Sequence, residues 1–198
     1  MEPRSPTRSV RPELAALRLP PAAMLVVAGV PGAGKTTLLS RVDATGARVL
    51  DPEPIRARYA RRLGRVPYRL WRPLVHAEHY LRLLLALPGR AGLIVHETGT
   101  RAWLRRLLAL AARRSGRTAH LLLLDVTADT ALRGQHRRRR AVPRGAFWSH
   151  WRRWRALRGA LTAPTGDQAA LDSEGWACVR LIDRAAAGRL VRIEIPHG

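Results

Sequence analysis

Residues 29–37 of this 198-residue chain read Gly29-Val30-Pro31-Gly32-Ala33-Gly34-Lys35-Thr36-Thr37. The stretch is a complete G-x-x-x-x-G-K-[ST] motif, in which glycines let successive backbone N–H groups turn toward one bound anion. The apolar run 24–28 precedes it, and the run 38–42 continues with helical character. This order of strand, glycine-rich turn and helix predicts a phosphate-binding loop at the end of a buried strand.

The residue types of the loop assign roles to its members. We expect all nine residues to surround the phosphates of a nucleotide, with Lys35 reaching the β- and γ-phosphates and the Thr36 hydroxyl placed to bind Mg²⁺. Thr37 should help to start the helix and contact the α-phosphate. Lys35 is also the one lysine among 36 lysines and arginines. A compact ammonium kept here, in a chain that otherwise uses arginine, supports the assignment.

Composition limits the organisation of the chain and its partners. With 46% hydrophobic residues, the chain can bury one core. We expect a loose N-terminal arm over residues 1–22, which holds five prolines, and one nucleotide-binding domain over 23–198. The net charge of +22 is typical of proteins with acidic partners, but an arginine-rich chain also carries much of its charge on a solvated surface. Nucleic acid is therefore a possible partner that we do not favour.

Cysteine usage and apolar runs bear on location. Cys178 is the single cysteine, which excludes an intramolecular disulfide, and its neighbours are those of a small core residue. No run is long enough to span a membrane, and residues 1–12 lack the apolar segment of a signal peptide. We expect a cytoplasmic protein without a membrane partner. No pattern specifies an oligomeric state.

Strand and helix patterns alternate along the chain. We predict strands at 24–28, 47–50, 92–96, 121–125, 177–182 and 190–195. Helices are predicted at 35–42, 53–63, 73–87, 103–114 and 147–161. A further helix is predicted to pass through Leu132 into the arginine run 137–140. In the third of these helices, the residues with helical spacing that we expect to face the core are Leu74, Ala77, Leu81, Leu84 and Leu85. The alternation predicts an α/β, three-layer sandwich, a parallel sheet with helices on both faces.

Polar residues that directly follow apolar strands are the candidates for chemistry, because ligands bind at the carboxyl ends of parallel strands. Asp51 ends the second strand. It could orient or deprotonate a substrate hydroxyl across from the γ-phosphate, or it could simply cap the helix entered through Pro52. Asp125 ends the fourth strand, but its Asp-x-Thr continuation is typical of a turn or cap, and we leave it out of the site.

The third strand is followed by His96-Glu97-Thr98. Glu97 is our candidate for the acid that binds Mg²⁺ through water, with capping of the next helix as the alternative. For His96 we favour a buried, hydrogen-bonded structural histidine over a catalytic one.

The run Arg137 to Arg140 precedes Val142-Pro143. Such a run is usually a solvated face, but arginines on a mobile segment beside a phosphate loop can also close over the transferred phosphoryl group. We predict an arginine-rich lid at about 133–150 with Arg133 and Arg137 in catalytic roles. Trp148, Trp151 and Trp154 share one helical stripe, which favours packing over base stacking.

Together these residues resemble the P-loop kinase branch of zeta-toxin and polynucleotide-kinase-like proteins, often labelled ATP-binding proteins of the AAA type, over about residues 24–160. The resemblance rests on the loop at 29–37, on an acid followed by Arg56 after the second strand, on the acid and threonine after the third, and on an Arg-x-x-x-Arg lid before Val-Pro. It implies a P-loop NTPase that uses ATP and Mg²⁺.

The resemblance also implies site residues. Asp51, Arg56, Thr98 and Arg101 are expected to contact the substrate. Glu53 stands at the family's acid-x-x-Arg spacing from Arg56, so the base is either Asp51 or Glu53. His96 and Gly99 stand where the family has Asp and Asn, which puts the contribution of the third strand to metal or substrate in doubt.

Three functions are compatible with these patterns. We favour transfer of the ATP γ-phosphoryl group to a hydroxyl of a small molecule or nucleotide. The alternatives are an ATPase or NTP-dependent switch that acts on a protein, and a kinase of nucleic-acid 5′ ends. No residue pattern discriminates ATP from GTP, and none identifies the acceptor.

Overall fold

The computed structural model of the chain describes residues 7–8, 15–137, 143–162 and 173–198. In these ranges the strands are β1 (Thr7–Arg8), β2 (Ala16–Arg18), β3 (Met24–Ala28), β4 (Asp43–Thr45), β5 (Ala47–Leu50), β6 (Gly92–His96), β7 (Ala119–Asp125), β8 (Cys178–Asp183) and β9 (Arg192–Glu194). The helices are α1 (Lys35–Arg41), α2 (Pro52–Leu63), α3 (Tyr68–Ala86), α4 (Ala102–Arg114), α5 (Ala128–Arg137), α6 (Arg144–Thr162) and α7 (Arg184–Arg189).

The main sheet has the strand order β1-β8-β7-β3-β6-β5, and all of its pairs are parallel. Every residue of β3 is buried, as the continuous apolar sequence predicts. From β3 the chain crosses to the edge strand β5, then returns through β6 and passes over β3 to β7. Crossovers between parallel strands are right-handed as a rule, and with this strand order the rule assigns α1 to one face and α3 and α4 to the other. The predicted three-layer α/β fold is therefore confirmed.

The reversal of strand order at β3 positions the site. Ligands in open parallel sheets bind outside the carboxyl ends of the strands at such a reversal. The loop 29–34 leaves β3 there, with β6 on one side and β7 on the other. Polar groups that follow β6 and β7 consequently lie beside the loop.

A second, three-stranded parallel sheet has the order β2-β9-β4. Residues 16–18, expected to belong to a loose arm, form β2, and the side chains of Leu17 and Leu19 are buried. Residues 43–45, expected to lie between a helix and a strand, form β4. Both strands are only three residues long and gain their stability by pairing with β9, which local pattern does not reveal. Residues 1–6 and 9–14 of the expected arm lie outside the described residues.

Helix α3 contradicts the expected orientation of its apolar residues. It begins at Tyr68 and contains Pro73 rather than starting there. Its buried face is Trp71, Val75, His79, Leu83 and Ala86. The leucines expected in the core are exposed, from 48% for Leu74 to 73% for Leu85. Two stripes with helical spacing run along α3, and the stripe with Trp71 and Val75 is the one that packs against Ile55 of α2.

Helix α6 carries the tryptophans that were expected to pack. Trp154 is fully buried, and Trp151 stacks on Phe147 with ring centroids 6.3 Å apart. Trp148 is about half exposed. Within the described ranges, no helix combines the length and apolarity needed to cross a bilayer.

Candidate nucleotide-binding site

The phosphate loop keeps an open concave face. Gly34, the residue before α1, has φ of +102°, a conformation that side chains disfavour, and no atom lies within 4 Å of the point where a Cβ would stand. Lys35 is 6% exposed, and its Nζ donates to the backbone oxygens of Gly29 at 2.5 Å and Val30 at 3.2 Å. The ammonium is thus held at the base of the loop, beside the space that phosphates would occupy.

Helix α5 lies directly on the phosphate loop. A Cβ added to Gly134 would stand 2.4 Å from the backbone oxygen of Gly32, and a Cβ added to Gly32 would stand 2.0 Å from that of Ala131. The Gln135 Nε2 donates to the Pro31 backbone oxygen at 3.1 Å. Only glycines allow this approach of helix to loop, and it produces a cavity on each side. Gly32, Gly34 and Gly134 line both cavities.

The first, which we call the arginine cavity, has a volume of about 700 Å³. Besides Thr37 it is lined by Arg41, Arg133, Arg137 and Arg184. Both arginines predicted for the lid lie here, four residues apart on α5. Arg133 also donates to the Thr130 hydroxyl at 3.1 Å. Of the lid predicted at about 133–150, residues 138–142 lie outside the described residues, and α6 begins at Arg144.

The second, which we call the histidine cavity, has a volume of about 250 Å³. Its polar lining includes Lys35, Thr36, Glu97, Thr98 and three histidines, His76, His79 and His96. Thr36 therefore lines the histidine cavity and Thr37 the arginine cavity. This separation is expected if Thr36 binds metal and Thr37 contacts the α-phosphate.

Asp51 lies behind the wall of the histidine cavity. Its Oδ1 accepts a hydrogen bond from the Glu53 backbone N–H at 2.9 Å, which caps α2, and lies 2.9 Å from the Nδ1 of His96. Burial works to raise the pKa of Asp51, but the hydrogen bond and charge of His96 and the Glu53 N–H outweigh it, so the pKa is below its usual value. The capping alternative is observed, and the contact with His96 comes in addition to it.

Glu97 is held at both carboxylate oxygens. Its Oε1 accepts from the Thr98 backbone N–H at 2.7 Å and hydroxyl at 2.9 Å, and its Oε2 accepts from the Tyr80 hydroxyl at 2.6 Å. Burial works to raise the pKa of Glu97, but these bonds outweigh it and lower the pKa. Burial and the nearby carboxylate raise the pKa of Tyr80. Glu97 is therefore an ionised, oriented carboxylate, and it does not cap α4, which begins without a side-chain cap.

Sequence reasoning missed the contribution of α3. His76, His79 and Tyr80 project from this helix toward the end of β6. Burial lowers the pKa of His79 and of His76, so both imidazoles are neutral near pH 7. The Nε2 of His79 is buried and has no hydrogen-bond partner in the described part of the chain. The sequence did contain a signal, since two histidines and a tyrosine lie within five residues of α3. It was missed because the opposite face of this helix was expected to be buried.

Several predicted residues lie elsewhere. Arg56 contacts Glu53 at 3.5 Å and lies 5.0 Å from the ring centre of Tyr68. Arg101 is exposed and lines a neighbouring cavity at the start of α4. Asp125, left out of the site, accepts from Arg158 Nε at 2.8 Å.

The oxygen ligands available for a metal ion are few. Among the residues that the structure describes, no group of three or more His, Cys, Asp or Glu side chains is arranged to hold one. Magnesium in a phosphate loop takes most of its ligands from phosphate and water. The Thr36 hydroxyl and the Glu97 carboxylate line the same cavity and are hard oxygen donors. This donor set fits Mg²⁺.

A glycine-rich phosphate loop after the central parallel strand, followed by α1 and covered by α5, defines a P-loop NTPase. The family model described as an AAA domain matches residues 24–161, and the chain belongs to this family. The predicted resemblance to P-loop ATP-binding proteins of the AAA type is confirmed.

Two solved structures are similar in fold. One comes from the characterisation of the PezAT chromosomal toxin–antitoxin system of Streptococcus pneumoniae, with 13% identity, a TM-score of 0.49, and coverage of 60% of this chain and 53% of that chain. The match thus spans about half of the Streptococcus chain. The other is a tunicamycin resistance protein of Deinococcus radiodurans, with 22% identity, a TM-score of 0.42, and coverage of 77% and 93%. A comparison with curated protein sequences gives no significant match.

Proposed function

We propose that this protein is a phosphotransferase that moves the γ-phosphoryl group of ATP to a hydroxyl of a small molecule. The observation that supports the proposal is the pair of cavities that meet at one phosphate loop. An ATPase needs room only for a water molecule beside the γ-phosphate. A separate cavity of about 250 Å³ beside Lys35 and Thr36 provides room for an acceptor.

In the proposed reaction, ATP lies with its nucleoside toward the arginine cavity and its γ-phosphate toward the histidine cavity. The acceptor oxygen attacks the γ-phosphorus, and its bond to phosphorus forms as the bond to the β–γ bridging oxygen breaks. ADP leaves with that electron pair. The acceptor proton passes to the pair formed by Asp51 and His96, which are in hydrogen-bond contact.

The cationic residues stabilise the transferred charge. Lys35 contacts the β- and γ-phosphates, and Arg133 and Arg137 neutralise charge that is redistributed at transfer. Thr36 and Glu97 would hold Mg²⁺. When bound, this ion neutralises charge on the phosphate oxygens.

The test is transfer of label from γ-labelled ATP to a panel of sugars, nucleosides, antibiotics and 5′-hydroxyl oligonucleotides. We expect a labelled product with at least one small hydroxyl compound, and loss of this product in Lys35→Ala. Release of labelled phosphate to water, stimulated by no compound, would replace the proposal with an ATPase. Labelling of oligonucleotides alone would replace it with a nucleic-acid end kinase.

A further inference from the structure

The two cavities differ in the charged residues that line them. The chain has 36 basic residues, of which all but Lys35 are arginines. Four arginines line the arginine cavity, and no arginine is among the described residues that line the histidine cavity. Lys35 is the one lysine or arginine among its described lining residues, and it lies at the base of the loop, where we expect it to contact the donor phosphates. Because the chain is so basic, a cavity without arginine among its described lining residues is suited to a ligand that does not require arginine for binding.

The acidic groups on this side strengthen the contrast. Glu97 lines the cavity as an oriented carboxylate, and Asp51 stands behind His96. A phosphorylated acceptor would bring a second negative group beside these carboxylates and the γ-phosphate. Proteins bind phosphate groups chiefly through arginine, lysine and helix N-termini. Apart from the loop that binds the donor, the described lining residues of the histidine cavity include no arginine and no second lysine. The helix N-terminus at Pro52 lines the cavity, but proline has no backbone N–H to offer, and the Asp51 carboxylate already accepts from the Glu53 N–H there.

Arginines do approach the rim. The charges of Arg72 and Arg101, after burial, contribute to the lowered pKa of His76. Neither residue lines the cavity, and Arg101 lines the neighbouring one at the start of α4. Their effect is to keep His76 uncharged rather than to supply a phosphate contact.

His76 and His79, whose pKa values are lowered by burial, supply hydrogen bonds without charge. A neutral imidazole has one nitrogen that donates and one that accepts, and a hydroxyl group can satisfy either. His96 is oriented by Asp51 through Nδ1, and His79 has a buried Nε2 without a partner in the described residues. A buried nitrogen that lacks a partner is costly, so a ligand hydroxyl that reaches it adds to affinity. Hydroxyls on several carbons of one small molecule match several imidazoles on one wall.

We infer that the acceptor is a small, uncharged polyhydroxyl compound, of the size of one sugar ring, and not a phosphorylated one. The volume of about 250 Å³ is below the range of about 300–1,000 Å³ typical of drug-sized ligand pockets, which sets the size limit. The inference rests on the proposed function and narrows its acceptor.

The experiment uses matched pairs that differ only by a phosphate: ribose and ribose 5-phosphate, glucose and glucose 6-phosphate, uridine and its 5′-monophosphate. Transfer from γ-labelled ATP is measured as kcat/KM for each member. Binding is measured separately, as the shift in Tm that each compound adds in the presence of a non-hydrolysable ATP analogue. We expect the uncharged member of the best pair to exceed its partner at least tenfold in kcat/KM and to give the larger shift.

The outcomes separate the two claims. If the uncharged compounds raise the Tm but no label is transferred to any of them, the inferred acceptor class is retained and the proposed reaction is wrong. If the phosphorylated members are labelled with a kcat/KM equal to or greater than that of their uncharged partners, the proposed reaction is retained and the inferred acceptor class is wrong. Absence of any shift and of any transfer with all pairs would overturn the inferred class.

A charge variant provides a second test. His76→Arg adds a cation to the wall of the histidine cavity, and Leu85→Arg adds the same cation to an exposed position on the same helix. We expect His76→Arg to move the kcat/KM ratio at least tenfold toward the phosphorylated member of the best pair, and Leu85→Arg to leave the ratio unchanged. Equal changes in both variants would show that overall charge, and not the lining of the cavity, sets the preference.

Discussion

The arginine cavity and the histidine cavity share three glycines, yet four arginines line one and three histidines with a carboxylate line the other. The donor of a phosphoryl group carries several negative charges, and most of them must be neutralised. An acceptor hydroxyl must instead be held and relieved of its proton, which a strongly positive lining does not assist. Under the proposed phosphoryl transfer, this difference would let one phosphate loop distinguish its donor from its acceptor, and it can be tested residue by residue.

The largest effect is expected from Lys35, which lies where the cavities meet. Lys35→Ala removes the only side-chain charge that the loop supplies to the phosphates, so the rise in Tm on addition of MgATP should disappear. Thermal shift of folded parent and variant is the measurement. Equal shifts in both would show that the loop does not bind nucleotide.

A change at the histidine side should affect transfer and not donor binding. Asp51→Asn keeps an oxygen for the Glu53 N–H that caps α2 but removes the negative charge beside His96. Transfer should fall about a hundredfold, with the ATP-induced Tm shift retained. Glu53→Gln is the matched variant, because Glu53 contacts Arg56 outside the cavity. If Glu53→Gln lowers transfer and Asp51→Asn does not, Glu53 is the base.

A change at the arginine side should reduce turnover by a smaller factor. Arg133 and Arg137 both line that cavity, and their joint replacement by Gln should lower kcat roughly tenfold while the affinity for ATP changes less. Steady-state kinetics and a direct binding measurement separate the two quantities. Unchanged values of both would identify these arginines as surface residues.

The wall between the cavities can be disturbed directly. In Gly134→Ala the new Cβ would stand 2.4 Å from the Gly32 backbone oxygen, so α5 must move away from the loop. Overpacking of this kind costs about 1–3 kcal/mol of stability. Gly159→Ala on α6 is the control, because no atom lies within 4 Å of its added Cβ. A lower Tm for Gly134→Ala alone is expected, and equal Tm values would contradict the close approach.

The smallest effect is expected from His79, and it concerns the stability of the protein at acidic pH. Burial lowers the pKa of His79 in the folded protein, so the unfolded chain binds a proton more readily. The contribution of His79 to stability is therefore complete above the unfolded pKa of about 6.5, and it is lost as the pH falls from that value through the lower pKa of the folded protein. His79→Gln should reduce the fall in Tm between pH 8 and pH 5.5 by roughly one or two degrees. Arg137→Gln should leave that fall unchanged, and an equal reduction in both would contradict the assignment.

The sequence was a good guide where the deciding residues are neighbours along the chain. The phosphate loop, the buried strand before it and the helix after it lie within 20 residues, and their pattern predicted the fold. Acids at the ends of β5 and β6 were found because strand ends in a parallel sheet meet at one edge. Their catalytic and metal-binding roles stay predictions.

Two features of the site could not be predicted from the sequence. One is which of two equally periodic faces of α3 is buried, and the other is a contact between residues far apart along the chain. Both stripes of α3 have helical spacing, and only the packing of Trp71 and Val75 against α2 decides which one is buried. With the wrong stripe inside, His76 and His79 would have pointed away from the site. The contact between Asp51 and His96 joins residues 45 positions apart. Periodicity within one element carries no information about such a pair.

Lys35 has a practical consequence because no other lysine is present. In this sequence, reagents that acylate amines have no other lysine side chain to modify. The ammonium is nearly buried and bonded to two backbone oxygens, so its labelling rate depends on how often the loop opens. The mass-spectrometric peak of the peptide that contains Lys35 would therefore follow the occupancy of the phosphate loop, with no engineered probe and no competing lysine.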